Sequence, residues 1–299
     1  MPATSQPTLL VTGAGGQLGR RVVELLVEAG AGRVIAATRT PGKLADLASR
    51  GVEVRQADFD RAGGLAAAFA GADRLLLVST DVLDRPGVRL AQHRAAVNAA
   101  VAAGVKHIVY TSAPAPQPTP GGSLIDDHFW TEQALAASGV DWTILRDSLY
   151  ADLLLMSLPH AVQTGQLFSA TAGAGRSYVT REDCARAAAA VLASPPSGRR
   201  IFDVTGPAAV TQDEVAALAG ELAGRKIQHI DLSPDDLRQG LTAAGMPPFL
   251  VDALAGFDAA AAQGYHAIVT PTVKDLTGRA PMSVRAFLTA HRGALLGAA

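Results

Sequence analysis

Short apolar runs alternate with longer segments of helical periodicity through the first half of the chain. The runs are typical of strands and cover residues 9–11, 33–39, 52–59, 74–79, 107–112 and 141–146. The run 74–79 lacks polar alternation, as is expected of a parallel strand that is covered on both faces. This alternation of strand and helix predicts an α/β fold with a doubly wound parallel sheet.

The first run breaks into a glycine-rich turn, and a helical pattern follows at once. In a dinucleotide site Gly13 turns the chain, Gly16 lets the backbone approach a pyrophosphate, and Gly19 lets the helix lie close to the strand. The phosphates then meet the N–H groups at the start of the helix. The alternative is a glycine turn that binds nothing, but the strand–turn–helix context near the N-terminus favours a dinucleotide. The cofactor-binding residues predicted here are Gly13, Gly15, Gly16, Gln17 and Leu18.

The end of the second run carries basic residues where an NAD-binding fold places an acid. About twenty residues beyond the last glycine, Asp or Glu accepts a hydrogen bond from the ribose 2′-hydroxyl in such folds. This chain has Arg39 there, followed by Lys43. A guanidinium binds a 2′-phosphate that a carboxylate would repel, so the residues favour NADP. The alternative is a solvated surface arginine.

Further candidates stand at the ends of the next runs. Asp58 is predicted to accept from the adenine amino group, with Phe59 beside the ring, although Asp58 serves equally well as a cap for the helix that follows. The ends of the next two runs contribute Val78 and Ser79, and then Thr111 and Ser112, of which the last two are expected to hold the nicotinamide ribose or amide.

The pattern becomes less regular after residue 155. Helix-start signals occur at residues 180–183 and 211–214 and at Ser233, with a short strand at 201–204. We therefore predict an NAD(P)-binding Rossmann-like domain over residues 1–155. A smaller α/β substrate lobe is predicted over residues 156–299, with some segments returning to the main sheet.

Composition and charge exclude several classes of protein. The net charge of −1 provides no field that attracts nucleic acid or an anionic membrane. No apolar stretch is long enough to span a bilayer, and residues 1–7 lack the features of a signal peptide. The single cysteine, Cys184, excludes an intrachain disulfide and a metal–thiolate cluster, and no metal site is predicted. We expect a cytoplasmic protein with no nucleic-acid or membrane partner.

A Pro- and Gly-rich segment, residues 113–122, leaves the end of the fifth run. It is either a flap over the cofactor or a plain linker. The helical pattern that follows places His128 and Glu132 one turn apart on one face.

These motifs together resemble the NmrA-like, atypical short-chain dehydrogenase/reductase group. Within this group the chain is most similar to the bacterial NADPH:quinone oxidoreductases and triphenylmethane reductases. The resemblance implies a Rossmann-like domain that binds NADPH, a smaller C-terminal lobe and a quinone-like small-molecule substrate. The stretches that carry it are residues 12–19, 54–59, 75–79, 92–94, 110–112, 128–132 and 145–150.

The chain departs from the familiar short-chain pattern in lacking a Tyr-x-x-x-Lys pair. Its tyrosines are followed four residues later by Pro114, Leu154, Glu182 and Val269. The loop that similar proteins commonly write as Arg-Asn-Gly-Trp-Tyr is Arg-Asp-Ser-Leu-Tyr over residues 146–150, and Gln133 stands where a lysine is often found. Both changes border the expected nicotinamide pocket.

The resemblance implies an NADPH-dependent oxidoreductase that passes hydride to a quinone or a similar conjugated, electron-poor acceptor. Tyr150 and His128 are the catalytic candidates, as donors to the developing oxyanion or, for Tyr150, as an aromatic wall. The alternative for His128 is a helix-surface residue paired with Glu132, and for Tyr150 a core tyrosine. A dinucleotide-sensing regulator without turnover remains the second hypothesis, and the sequence leaves open a homodimer.

Overall fold

The computed structural model describes residues 6–119 and 123–297. Its strands are β1 Thr8–Val11, β2 Arg33–Thr38, β3 Glu53–Gln56, β4 Arg74–Leu77, β5 His107–Ser112, β6 Asp141–Asp147, β7 Gln166–Ser169, β8 Arg200–Val204 and β9 Gln228–Asp231. Its helices are α1 Gln17–Glu28, α2 Ala45–Ser49, α3 Leu65–Phe69, α4 Val88–Ala102, α5 Leu124–Ala137, α6 Leu154–Thr164, α7 Arg181–Ala193, α8 Gln212–Ala223, α9 Pro234–Ala243, α10 Pro248–Ala262, α11 Thr272–Thr277, α12 Val284–Ala290 and α13 Arg292–Leu295. Short 3₁₀ turns cover Pro41–Leu44, Ala62–Gly64 and Ala151–Leu153.

The main sheet has the strand order β3-β2-β1-β4-β5-β6-β8. Neighbouring strands from β3 to β6 are parallel, and Leu10 of β1 pairs with Ile35 on one side and Leu75 on the other. The order reverses between β1 and β4, which is the switch point where ligands of such sheets bind at the carboxyl ends of the strands. The predicted α/β, Rossmann-like doubly wound sheet is confirmed.

The chain divides into two compact units, whereas the sequence places a single boundary after residue 155. Unit 1 comprises Met1–Arg146 and Cys184–Phe202, and unit 2 comprises Asp147–Asp183 and Asp203–Ala299. Unit 2 contains the two-stranded parallel sheet β7–β9. The core of unit 1 lies around Leu10, Phe69 and Tyr110, and that of unit 2 around Leu158 and Phe287.

The returning segment of unit 1 is held at the end of α7. The guanidinium of Arg74, at the start of β4, donates from Nη1 to the carbonyl oxygens of Leu192, Ala193 and Ser194 at 3.1, 2.8 and 2.6 Å. These carbonyls end a helix, where a cation is favourable. A bond that spans 118 or more residues of sequence thus connects the two segments of this unit.

Several predicted boundaries shift by one or more residues. The third run forms a strand only over Glu53–Gln56, because Asp58 accepts from the N–H of Asp60 in a local turn. The fourth ends at Leu77, because the N–H groups of the residues beyond donate to side chains instead of a neighbouring strand. The predicted capping box at Thr211 is present, with Glu214 as its partner. Of the predicted loop 113–122, residues 113–119 form neither helix nor strand, and 120–122 lie outside the described residues. No helix in the described part of the chain is long and apolar enough to cross a membrane.

Candidate functional site

The turn between β1 and α1 lies at the switch point of the sheet. Gly13 has a φ of +61°, a left-handed conformation that side chains rarely adopt. A Cβ at this position would lie 3.3 Å from Cβ of Val78, just beyond β4. The turn therefore brings the ends of β1 and β4 into contact, and a larger residue would separate them.

The other glycines of the turn are also closely surrounded. A Cβ at Gly15 would lie 2.7 Å from Oγ1 of the buried Thr38, and one at Gly19 would overlap the carbonyl oxygen of Gly13. Gly19 thus permits the first turn of α1 to pack on the backbone of the loop. The N–H of Ala14 also donates to the carbonyl oxygen of Ala37, at 3.1 Å, which ties the loop to β2.

The N-terminus of α1 is suited to an anion. Its N-cap is Gly16, which offers no side chain to the free N–H groups of the first turn. The first turn carries no acidic residue, and Gln17 at its start is exposed. A pyrophosphate would find uncapped donors, a positive helix end and a backbone free of obstructing Cβ atoms, so the turn fits the predicted group.

The cations predicted to bind a 2′-phosphate lie beyond the end of β2. Arg39 directly follows the strand and is exposed, and Lys43 is exposed in the 3₁₀ turn that follows. The carbonyl oxygen of Arg39 accepts from Nε2 of Gln56 at 3.4 Å, which connects this segment to β3. Both cations meet the solvent at the carboxyl edge of the sheet.

Asp58 forms a local turn and does not cap a helix. Its Oδ1 accepts from the N–H of Asp60 at 3.1 Å, and Oδ2 lies 3.7 Å from Nε of Arg61. Arg61 is the N-cap of the 3₁₀ turn that follows, so the alternative interpretation of Asp58 as a helix cap is wrong. Asp58 and Phe59 are both partly exposed, and a contact with adenine stays a prediction.

In the segment after β4, residues 78–80, each backbone N–H donates to a side chain. Val78 donates to Oγ1 of Thr12 at 3.0 Å, Ser79 to Oγ1 of Thr111 at 2.9 Å, and Thr80 to Nε2 of His93 at 2.9 Å. The acceptors come from the residue directly after β1, from β5 and from α4. Since these N–H groups are already used and the carbonyl oxygen of Thr80 accepts from Nε of Arg89, the backbone groups left to a ligand are the carbonyl oxygens of Val78 and Ser79.

The end of β5 carries Ser112 beside a buried ion pair. Its hydroxyl donates to Oε1 of Glu132 at 2.7 Å, and Arg146 holds both oxygens of the same carboxylate at 3.0 and 2.7 Å. Glu132 is 5 % exposed. Such a bidentate pair fixes the ends of β5 and β6 relative to α5.

His128 lies inside unit 1, so the interpretation of a surface histidine paired with Glu132 is wrong. Its side chain is 4 % exposed, with Nε2 at 2.9 Å from Nη2 of Arg89 and Nδ1 at 2.8 Å from the hydroxyl of Tyr110. Because arginine can only donate, Nε2 is the acceptor and the ring proton lies on Nδ1. Glu132, one turn away, binds Arg146 instead.

The ionisation of these buried groups is shifted by their surroundings. Burial, and then the charge of Arg89, lower the pKa values of His93 and His128 well below the ordinary value. Burial also raises the pKa of Tyr110 far above its ordinary value. Both imidazoles are therefore neutral, and Tyr110 is not suited to act as an acid near neutral pH.

A model of NAD(P)H-binding proteins matches residues 13–195 of this chain. The chain belongs to this NAD(P)H-binding family. It is 38 % identical to quinone oxidoreductase 2 of Escherichia coli (strain K12) over 258 residues, which cover 86 % of this chain and 88 % of that protein.

Two crystal structures of similar proteins have the same fold as this chain. An NADPH-dependent quinone oxidoreductase from Escherichia coli, complexed with NADPH, is 34 % identical with a TM-score of 0.89, covering 95 % of this chain and 99 % of the other. The Citrobacter sp. triphenylmethane reductase complexed with NADP(H) is 31 % identical with a TM-score of 0.85, covering 94 % and 99 %. The predicted NAD(P)H cofactor is confirmed, whereas the individual binding residues stay predictions.

In unit 2 of this NAD(P)H-binding protein, Tyr150 is partly exposed and follows β6 by three residues. Its hydroxyl donates to Oδ2 of Asp147 at 3.3 Å, and the guanidinium of Arg181 lies 5.2 Å from the ring centroid. Arg181 is itself paired with Asp152 at 2.8 Å. The partly exposed ring is thus held by a cation–π contact and a hydroxyl bond, and its role as a substrate contact or as a core tyrosine stays a prediction.

Sequence reasoning assigned no role to Arg89, His93 and Tyr110, although the segment 92–94 contributes to the resemblance. The sequence did contain a signal for two of these residues. An arginine and a histidine four residues apart in an otherwise Ala- and Val-rich helix would lie on one face, but nothing in the pattern shows that this face is buried.

Proposed function

We propose that this protein is an NADPH-dependent oxidoreductase that passes hydride to a quinone or a similar conjugated, electron-poor acceptor. The observation that carries the proposal is the uncapped α1 N-terminus, with no acidic residue in its first turn, together with the exposed Arg39 after β2. The similarity to a quinone oxidoreductase and a triphenylmethane reductase supports the acceptor class.

The residues of this chain bind and orient the cofactor, and NADPH supplies the hydride when bound. The α1 turn holds the pyrophosphate, Arg39 and Lys43 neutralise the 2′-phosphate, and the carbonyls of Val78 and Ser79 accept from donor groups of the nicotinamide half. We assign His128 to holding this edge in place instead of donating to the acceptor, because both of its ring nitrogens are used in buried bonds.

Cofactor choice is tested with Arg39→Ala. A hydrogen bond to a charged group contributes about 1.5–3 kcal/mol, so NADPH is expected to bind about ten-fold or more weakly while NADH changes little. The measurement is the Kd of each cofactor by fluorescence titration. Arg33→Ala is the matched control, since Arg33 begins the same strand at its opposite end and pairs with Glu53.

Arg33→Ala should leave both affinities unchanged. If the unaltered protein binds NADH as tightly as NADPH, or if both arginine variants weaken NADPH equally, Arg39 does not select the cofactor.

Turnover is tested with Tyr150→Phe and Tyr150→Ala. The hydroxyl of Tyr150 is already bound to Asp147, so we propose that the ring serves as an aromatic wall for the acceptor. Phe is then expected to retain most of kcat/KM for a quinone, whereas Ala loses about ten-fold. Phe168→Ala, which removes an exposed ring from β7, is the control.

The same assay separates enzyme from regulator. NADPH oxidation is followed by absorbance with a panel of benzoquinones, naphthoquinones and a cationic triphenylmethane dye. A dinucleotide-sensing regulator would bind NADPH but oxidise it with none of these acceptors. If Tyr150→Phe lowers kcat/KM as much as Tyr150→Ala, the hydroxyl acts as a donor and the aromatic-wall role is wrong. The cytoplasmic location and the homodimer stay predictions.

A further inference from the structure

Both backbone polar groups of Thr80 are held by one face of α4. The N–H of Thr80 donates to Nε2 of His93 at 2.9 Å, and its carbonyl oxygen accepts from Nε of Arg89 at 2.8 Å. Arg89 and His93 are four residues apart, so they are adjacent on the helix surface. A single helix face thus fixes the position of the loop residue and the orientation of its peptide groups.

The two α4 side chains are in turn held by α5. Arg89 donates to Nε2 of His128 at 2.9 Å and lies 3.7 Å from Oδ2 of Asp127. Nδ1 of His93 donates to Oγ1 of Thr131 at 3.0 Å, and that hydroxyl donates to the carbonyl oxygen of Asp127 at 2.7 Å. Since Arg89 is 2 % exposed and His93 fully buried, solvent does not compete for these bonds.

Retaining a charge at this position costs stability. A buried guanidinium loses its hydration, and for Arg89 that loss is offset only in part by a neutral imidazole, two backbone carbonyls and a carboxylate oxygen of Asp127 at 3.7 Å. An apolar side chain of similar length would fill the same volume without that penalty. A costly polar arrangement of this kind is expected at functional sites.

The loop that is held belongs to the ligand edge of the sheet. Residues 78–80 follow β4 at the switch point, and Val78 lies against the glycine turn of β1. With their N–H groups turned to Thr12 and Thr111, Val78 and Ser79 offer carbonyl oxygens to ribose hydroxyls and to the carboxamide, whereas both polar groups of Thr80 are used by α4.

We propose that Arg89 and His93 are positioning residues that fix Thr80, and so hold the carbonyl oxygens of the preceding Val78 and Ser79 for the nicotinamide half of NADPH. This inference rests on the proposed function. It predicts an effect on the nicotinamide half of the cofactor and none on the adenosine half, whose predicted contacts, Arg39, Lys43, Asp58 and Phe59, lie beyond β2 and β3.

The test compares two ligands in Arg89→Met, with Arg94→Met as the control. Arg94 is exposed on the same helix, and the substitution removes the same charge. The ligands are NADPH and adenosine 2′,5′-bisphosphate, which lacks the nicotinamide half. In Arg89→Met the Kd of NADPH should rise about ten-fold and that of the bisphosphate less than two-fold, and in Arg94→Met neither should change.

A second pair of variants covers the case in which Arg89→Met does not fold. His93→Gln keeps an acceptor near the position of Nε2, whereas His93→Leu removes it. The Gln variant should keep the ratio of the two Kd values near that of the unaltered protein, and the Leu variant should raise it about ten-fold.

The proposal is overturned if NADPH and the bisphosphate weaken equally, since that indicates a general loss of structure. It is also overturned if Gln and Leu at position 93 give the same ratio. Neither titration contains a quinone, so this test measures cofactor binding alone. A protein that oxidises no NADPH with quinones would contradict the proposed function, and the two Kd values would still decide this proposal.

Discussion

Gly19→Val is expected to weaken NADPH binding by about a hundred-fold or more, which corresponds to about 2.7 kcal/mol. A Cβ at Gly19 would overlap the carbonyl oxygen of Gly13 and lie 2.7 Å from its carbonyl carbon. Neither atom belongs to a flexible side chain, so α1 must move away from the turn. The displacement separates the helix N–H groups from the phosphates and costs a further amount of stability, about 1–3 kcal/mol, through overpacking.

The matched control is Gly256→Val, also at a helical glycine. Gly256 is exposed on α10, and a Cβ there would have no atom within 4 Å. NADPH affinity is measured by titration and stability by chemical unfolding of each variant. A folded Gly19→Val protein with unchanged affinity would show that the close approach of α1 to the turn is not required for cofactor binding.

Acid should destabilise the protein between about pH 6.5 and 5, before most carboxylates titrate. His93 and His128 have pKa values well below the ordinary value in the folded state, whereas the unfolded chain binds protons on both as the pH falls through about 6.5. The stability that these two neutral histidines contribute is therefore complete above about pH 6.5 and is lost as the pH falls. The loss continues as the pH falls towards the lower folded pKa of each histidine, because the unfolded chain binds these protons and the folded protein does not.

The measurement is the free energy of unfolding in urea at a series of pH values. His93→Gln removes one of the two groups, so the slope of stability against pH below 6.5 should fall by about one proton. His160→Gln is the control, because His160 is exposed on α6 and meets solvent in both states. A slope unchanged by His93→Gln would mean that His93 binds a proton in the folded protein.

The strands, the glycine turn and the cofactor class could be predicted from the sequence because each depends on local chemistry. An uninterrupted apolar run such as 74–79 is typical of a buried strand. Closely spaced glycines between a strand and a helix are typical of a dinucleotide-binding turn. The ends of elements were less accurate, since Asp58 and its neighbours form a turn that competes with strand pairing.

The polar network of α4 and α5 could not be predicted in the same way. Helical spacing places His128 and Glu132 on one face, but the buried face of α5 is largely polar and consists of His128, Thr131, Glu132 and Leu135. Trp130, on the same helix, is 39 % exposed. If apolar residues are expected to face inward, α5 is therefore rotated the wrong way about its axis. Only the partners on α4 and β5 show which face of α5 is buried.

The bonds from Arg74 to the end of α7 also have a consequence for protein synthesis. Unit 1 is assembled from two separated segments, so its first segment leaves the ribosome long before residues 184–202 exist. Until then the strand edge and the Arg74 guanidinium lack the partners that complete them. Long-range contacts of this kind slow folding and prolong the exposure of apolar surface, so the nascent dinucleotide-binding unit is expected to need chaperones most while residues 147–202 are being translated.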